Sequence, residues 1–290
     1  MRKMNSDMSE ISFYKKIFER NIINAKNAIY GRHAGNYTKS YETWKMIENI
    51  LSCFQDELKR KRDRTIEVLD LGCGDGYHIF LLNSLKEEAK EKIYFRGIDI
   101  SSLNVYSATE IAKSIEACNV NFEVGNVENL ALSDSCFDIV LCTDVIEHLV
   151  NPEKCLTEMI RLLNPGGLAI VTTTNRDNKF AKILKRLIPI RSYSENKQVD
   201  YYSSGQKDRF FDIGHGHISV KSMDEWIDIF RDKGFIIEDI KRGSMLFGGY
   251  RCNIHPILFA LTLIADRISD YCSLMKKFSE AHTFKLRKPL

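Results

Sequence analysis

The chain has 290 residues, 44% hydrophobic and 28% charged, with a formal net charge of +3. That is enough length for one substantial domain with appendages, and too little charge to bind nucleic acid by bulk electrostatics. Eight cysteines are scattered without a C-x-x-C pair, which fits reduced, mostly buried thiols of a cytoplasmic protein rather than a disulfide framework or zinc site.

Arg2 and Lys3 precede no apolar run, so no signal peptide is expected. Residues 1–65 are polar and helix-prone. Ile11, Phe13, Tyr14, Ile17 and Phe18 recur near helical spacing, and Trp44, Ile47, Ile50, Leu51 and Phe54 repeat the pattern. Two helices are expected, packed on a sheet or closing over a site as a cap with Tyr37 and Tyr41 facing it.

From Ile66 the pattern alternates strand and helix through residue 174, which argues a mainly parallel sheet covered on both faces. The first strand, Ile66–Leu71, runs straight into Gly72-Cys73-Gly74-Asp75-Gly76, and a helical pattern begins at Tyr77. Such a turn needs glycine where the backbone takes conformations that a Cβ would block. The helix start behind it offers N–H groups and a positive dipole end, suited to a carboxylate or phosphate. A second strand ends at Asp99, a third at Gly125-Asn126-Val127, and a fourth at Cys142. Ser101 or Ser102 caps the helix after the second strand. Asn151-Pro152-Glu153 opens the helix after the fourth, and Asn164-Pro165-Gly166-Gly167 stops it before a fifth strand.

The glycines read G-x-G-x-G, with an acid inside the preceding strand, unlike the G-x-G-x-x-G dinucleotide fingerprint. Asp70-Leu71-Gly72-Cys73-Gly74-Asp75-Gly76 resembles motif I of the class I S-adenosylmethionine-dependent methyltransferases. The strand–helix–Pro-Gly-Gly–strand order resembles the same family. Thr143-Asp144-Val145-Ile146-Glu147-His148 is similar to the E-V-x-E-H segment of its type 11-like small-molecule members.

The resemblance implies a Rossmann-like α/β fold with a seven-stranded, mostly parallel sheet, an antiparallel last strand and helices on both faces. It implies S-adenosylmethionine as cofactor and a helical cap at 1–65 before a methyltransferase domain at 66–290. Insertions fall at about 175–215 and 243–279. The cofactor's carboxylate is expected over Gly72, Cys73, Gly74 and Gly76, held by backbone N–H groups. Its ammonium is expected near Asp70 or the Cys142 carbonyl. The resemblance gives the ribose hydroxyls to Asp99 and adenine to Asn126 and Val127, with Ile100 on a ring face.

The implied reaction is O-methylation of a small molecule, a sugar or lipid-linked glycan among the candidates. Base candidates are His148, His215 and His217, with Asp144 as a carboxylate alternative. No resident metal is assigned. One rival reading has Asp144, Glu147, His148 and His215 or His217 holding a divalent ion, as the resembling small-RNA 2′-O-methyltransferases do. Another is a non-catalytic cofactor-binding module.

Arg176, Lys179, Lys182, Lys185, Arg186 and Arg191 crowd one insertion, either as a solvated face or as a phosphate or acidic-sugar contact. Ser222-Met223-Asp224-Glu225 reads as a capping box, a sixth strand follows from Phe235, and Ala281–Arg287 reads as the seventh. Pro256 to Ala265 is the longest apolar run and falls well short of the ~20 residues of a membrane-spanning helix. Its lack of a polar face favours burial over peripheral membrane contact. A small-molecule acceptor is the expected partner, and nucleic acid is not expected.

Overall fold

Ile66, Val68, Leu69 and Leu71 put apolar side chains on both sides of the stretch 66–71, a pattern that needs cover on both faces. In the computed structural model, which describes residues 37–61, 64–84, 92–177, 217–244 and 256–290, that stretch lies inside a seven-stranded sheet. The elements in chain order are α1 (Tyr37–Arg60), β1 (Ile66–Leu71), α2 (Tyr77–Ser84), β2 (Ile93–Asp99), α3 (Ser102–Ser114), β3 (Val120–Val124), β4 (Phe137–Thr143) and α4 (Pro152–Leu162). They continue with β5 (Leu163–Thr174), α5 (Met223–Asp232), β6 (Ile236–Arg242), α6 (Pro256–Ser269), α7 (Ser273–Lys276) and β7 (Ala281–Arg287). The sheet order is β3-β2-β1-β4-β5-β7-β6. The pairs from β3 through β5 are parallel, and β7 runs antiparallel to both its neighbours. Strand order reverses between β1 and β4, the switch point where an open α/β sheet holds its ligand.

Side chains alternate across the sheet, so consecutive residues enter different cores. Val68, Ile139, Leu141, Leu168 and Ile170 face α1, α2 and α3, while Leu69, Val140, Cys142, Ala169 and Val171 face α4 and α5. Ile47, Ile50 and Phe54 of α1 belong to the first core, and Phe54 stacks on Phe95 of β2 at 6.3 Å between centroids. The second N-terminal helix is therefore sheet cover. The Tyr41 hydroxyl donates to Asp266 of α6 at 2.8 Å. The first expected helix, the Tyr37 side chain and the run from Lys179 to Arg191 lie outside the described residues.

Ser101 caps α3, its hydroxyl accepting from the Asn104 amide, and Ser222 with Glu225 forms the full capping box of α5. Asn151 precedes α4 without a side-chain cap bond; its amide donates instead to Glu128.

The expectation of a buried helix at 256–265 is overturned. Ile257, Leu261 and Ile264 of α6 are exposed, whereas Asp266 and Ser269 are buried. Asp266 faces inward because Lys45 and Arg242 wait there to pair with it.

Candidate functional site

The carboxyl ends of β1, β2 and β4 converge on the glycine turn. Gly72, Gly74 and Gly76 all have positive φ, at 73°, 54° and 83°. At Gly72 a Cβ would also stand 2.3 Å from Val145 Cγ2, so no side chain fits. At Gly74 it would meet nothing within 4 Å; there the conformation alone demands glycine, and the bare backbone faces open space.

The amides of this turn are mostly committed inside the protein. Gly72 and Cys73 donate to the Ile98 carbonyl at 2.7 and 3.0 Å, and Gly76 donates to Cys73 at 2.9 Å. Gly74 donates to Asp99 Oδ2 at 2.9 Å. The expected grip of a carboxylate by these N–H groups is thus not the arrangement present. The turn is tied instead to β2 and its terminal acid.

Asp99 is nearly buried, and its Oδ1 accepts from the Ser101 amide at 2.8 Å. Oδ1 also accepts from Asn104 Nδ2 at 3.4 Å, so Oδ2, bonded to the Gly74 amide, is the oxygen that keeps a lone pair for a further donor. Asp70 is fully buried, and neither of its carboxylate oxygens has a hydrogen-bond partner. Burial, and secondly the charge of Asp99, push its carboxyl up to about 8. Ile100 is exposed beside this cleft and Val127 is buried. Asn126 Oδ1 already accepts from the Glu128 amide at 2.9 Å.

A second cluster stands at the mouth of β4. Asp144 has φ 54°, a conformation a non-glycine residue keeps only when its surroundings hold it. Thr172 of β5 provides the hold. Its hydroxyl accepts from the Asp144 amide at 2.9 Å and donates to Asp144 Oδ1 at 3.0 Å. The chain then makes one 3₁₀ turn, Ile146–His148. Glu147 points into the protein, where its Oε1 accepts from the Thr174 amide at 3.3 Å and its Oε2 has no partner. Burial, and then the charge of Asp144, raise its carboxyl to about 8.

Residues 217–219 are stapled to this turn. The amides of Ile218 and Ser219 both donate to the Glu147 carbonyl at 2.9 Å, and the Ser219 hydroxyl donates to the Leu149 carbonyl at 2.7 Å. That staple sets the His217 ring edge-on to His148, with centroids 4.6 Å apart. Donor atoms of Glu147, His148 and His217 lie within 4.8 Å of one another. Of the two distal histidines read from the sequence, His217 joins His148 and His215 falls outside the described residues. Asp144 turns to Thr172 and stands apart from this trio.

Thr172 and the pair His78–Thr143, whose Nδ1 and Oγ1 are 2.9 Å apart, were missed by sequence reading. For Thr143 and Thr172 the signal is polarity near the carboxyl ends of two strands, and His78 stands at the start of α2.

The sequence profile of a family described as a methyltransferase domain matches residues 62–233. The chain belongs to that family. Over 134 residues it is 32% identical to the ubiquinone biosynthesis O-methyltransferase of Rickettsia felis, an overlap of 46% of this chain and 49% of that protein. The chain thus spans about half the length of the curated relatives it matches. A Bacillus halodurans protein assigned to the methyltransferases superposes with a TM-score of 0.51 at 18% identity, covering 81% of this chain and 98% of the other. The [4+2]-cyclase SpnF does so with a TM-score of 0.50 at 18% identity, covering 82% and 80%. The fold is therefore shared with a catalyst of another reaction, and activity has to be argued from the site.

The cofactor of a methyltransferase domain is S-adenosylmethionine, and the residues present fit it. The open backbone over Gly74 leaves room for close approach. Asp70, with two unpartnered buried oxygens, would accept from the cofactor's ammonium, and Asp99 Oδ2 would accept from its hydroxyls.

Proposed function

We propose that this protein transfers a methyl group from S-adenosylmethionine to a hydroxyl oxygen of a small molecule. The observation that carries the reading is the bare turn at Gly74 between Asp70 and Asp99, with a histidine pair at the adjoining mouth. When bound, the cofactor supplies an activated methyl group; the protein has to hold, orient and deprotonate. Asp99 accepts from the ribose hydroxyls, while Asp70 and the Cys142 carbonyl accept from the ammonium. Gly72, Cys73, Gly74 and Gly76 shape the floor. Ile100 and Val127 supply apolar cover for adenine. Asn126 Oδ1 accepts one bond inside its own turn and keeps a lone pair for the adenine amino group.

His148 takes the proton of the acceptor hydroxyl as the new oxygen–carbon bond forms, and His217 orients it edge-on. Asp144 is the carboxylate alternative. The O-methyltransferase name of the similar Rickettsia felis protein supports oxygen as the methylated atom. A cytoplasmic location fits the seven free cysteines among the described residues, none of them in a disulfide.

A panel of phenolic, sugar and lipid-linked hydroxyl acceptors, read by release of S-adenosylhomocysteine, tests the proposal. Turnover confined to amines or thiols would contradict it.

A second reading is favoured by one observation, a carboxylate oxygen of Glu147 within 4.8 Å of ligand atoms of both histidines. Glu147, His148 and His217 form a carboxylate–imidazole set suited to a divalent transition metal. In that case chelator abolishes turnover and added manganese restores it. Full activity in chelator leaves the metal-free histidine base.

A further inference from the structure

We propose that the outward face of α6 rests on the surface of an anionic lipid bilayer. Ile257, Leu261, Ile264 and Ile268 are 78%, 58%, 57% and 66% exposed, and Tyr271 just beyond the helix is 94% exposed. Positions three and four apart share one side of a helix, so these residues form a continuous apolar stripe about 16 Å long. Asp266, nine residues after Ile257, sits on the opposite side and is fully buried.

Among the described side chains of α6, the buried side is held by charge. Asp266 accepts from Lys45 Nζ at 2.7 Å, from the Tyr41 hydroxyl at 2.8 Å and from Arg242 Nη1 at 3.0 Å. Asp270 takes further bonds from Lys45 and Arg242. Rolling the helix to hide its apolar stripe would strand the buried Lys45 and Arg242 without their carboxylate, a heavy desolvation cost. The stripe is therefore held outward.

Three features select the occupant. First, α6 links the end of β6 to the start of β7, which puts it at the same sheet edge as the Gly72–Gly76 turn and the His148–His217 mouth. Second, the sequence following Asp177 is basic: residues 178–194 include Lys179, Lys182, Lys185, Arg186 and Arg191 and no acidic residue. Arg267 adds an exposed cation beside the stripe itself. That charge complements an anionic surface. Third, the stripe is one helix wide and five side chains long, where a stable protein interface uses about 20–30 residues a side. No helix among the described residues is long and apolar enough to cross a membrane, so contact is interfacial.

Co-sedimentation of the full chain with vesicles tests this, using phosphatidylcholine alone and phosphatidylcholine with phosphatidylglycerol. Binding is expected on the anionic vesicles, weakening with salt. The variant Leu261→Glu/Ile264→Glu should lose it by at least about tenfold, through removal of two apolar side chains from the stripe, while keeping a cooperative melting transition. No binding by the parent overturns the proposal, and so does undiminished binding by the folded variant. Should that variant fail to fold, Tyr271→Trp decides: its emission shifts to the blue on anionic vesicles if the proposal holds, and stays unshifted if it does not. A concentration-dependent dimer in ultracentrifugation, lost in Leu261→Glu/Ile264→Glu and accompanied by no vesicle binding, assigns the face to a second copy and overturns it. None of these readouts depends on methyl transfer.

Discussion

At the scale of single residues, the site stores unpaired acid. Asp70 has a folded value raised from 3.8 to about 8, by burial first and by Asp99 second. Between those values the folded protein binds a proton that the unfolded chain has released, so this group lowers stability as pH rises from about 4 to 8. Below 3.8 the penalty is absent, and above 8 it is complete. Asp70→Asn carries no such charge. Melting midpoints of the parent and this variant should therefore diverge as pH rises through that window, the variant gaining about 1–3 kcal/mol by its upper end. Parallel melting profiles would show that the carboxylate is solvated.

The mouth residues make a different demand. Removing the base in His148→Ala should cut kcat by about 10²–10⁴-fold and leave S-adenosylhomocysteine affinity unchanged. A kcat near the parental value would leave Asp144, or alignment alone, to explain catalysis. Sequence reading found these titratable groups because each ends a strand or follows one. It missed Thr172 because the hydrogen bonds that make it matter reach across 28 residues of chain to Asp144.

At the scale of elements, the strands, the capping box at Ser222 and the cap at Ser101 were legible from local pattern, since period and cap chemistry are local properties. The orientation of α6 was not. The apolar run from Pro256 to Ala265 stops one residue short of Asp266, and the polar face of the helix begins there with Asp266 and Ser269. Its partners Lys45 and Arg242 lie 221 and 24 residues away, beyond any local pattern. The same network predicts a fragile joint. Arg242→Met leaves buried Asp266 with one fewer cation and should cost about 3–5 kcal/mol in urea unfolding, with α6 amides losing hydrogen-exchange protection first. An unchanged unfolding midpoint would mean that the ion pair is solvated and does not hold the helix.

At the scale of the whole molecule, a mainly parallel sheet was implied by the alternation of strands and helices, and its strand order, seen only in the fold, decides where chemistry can occur. Asp70, Asp99, Cys142 and Thr172 come from strands spread over more than a hundred residues, and the parallel sheet brings all their carboxyl ends to one edge. What that edge does is a matter of individual groups, as the fold shared with a cyclase makes plain. The turn's internal hydrogen bonds were also hidden from the sequence. Glycine spacing reports conformation, and only the folded register shows that Ile98 and Asp99 already accept most of the amides.

The central claim is that this turn takes S-adenosylmethionine through Asp99, and isothermal titration with S-adenosylhomocysteine tests it most directly. The parent should bind one equivalent and give no heat with NAD. Asp99→Ala removes a charged acceptor whose hydrogen bonds contribute roughly 1.5–3 kcal/mol each, so its affinity should fall by at least about tenfold. Absence of binding by the parent, or undiminished affinity in Asp99→Ala, would contradict the claim.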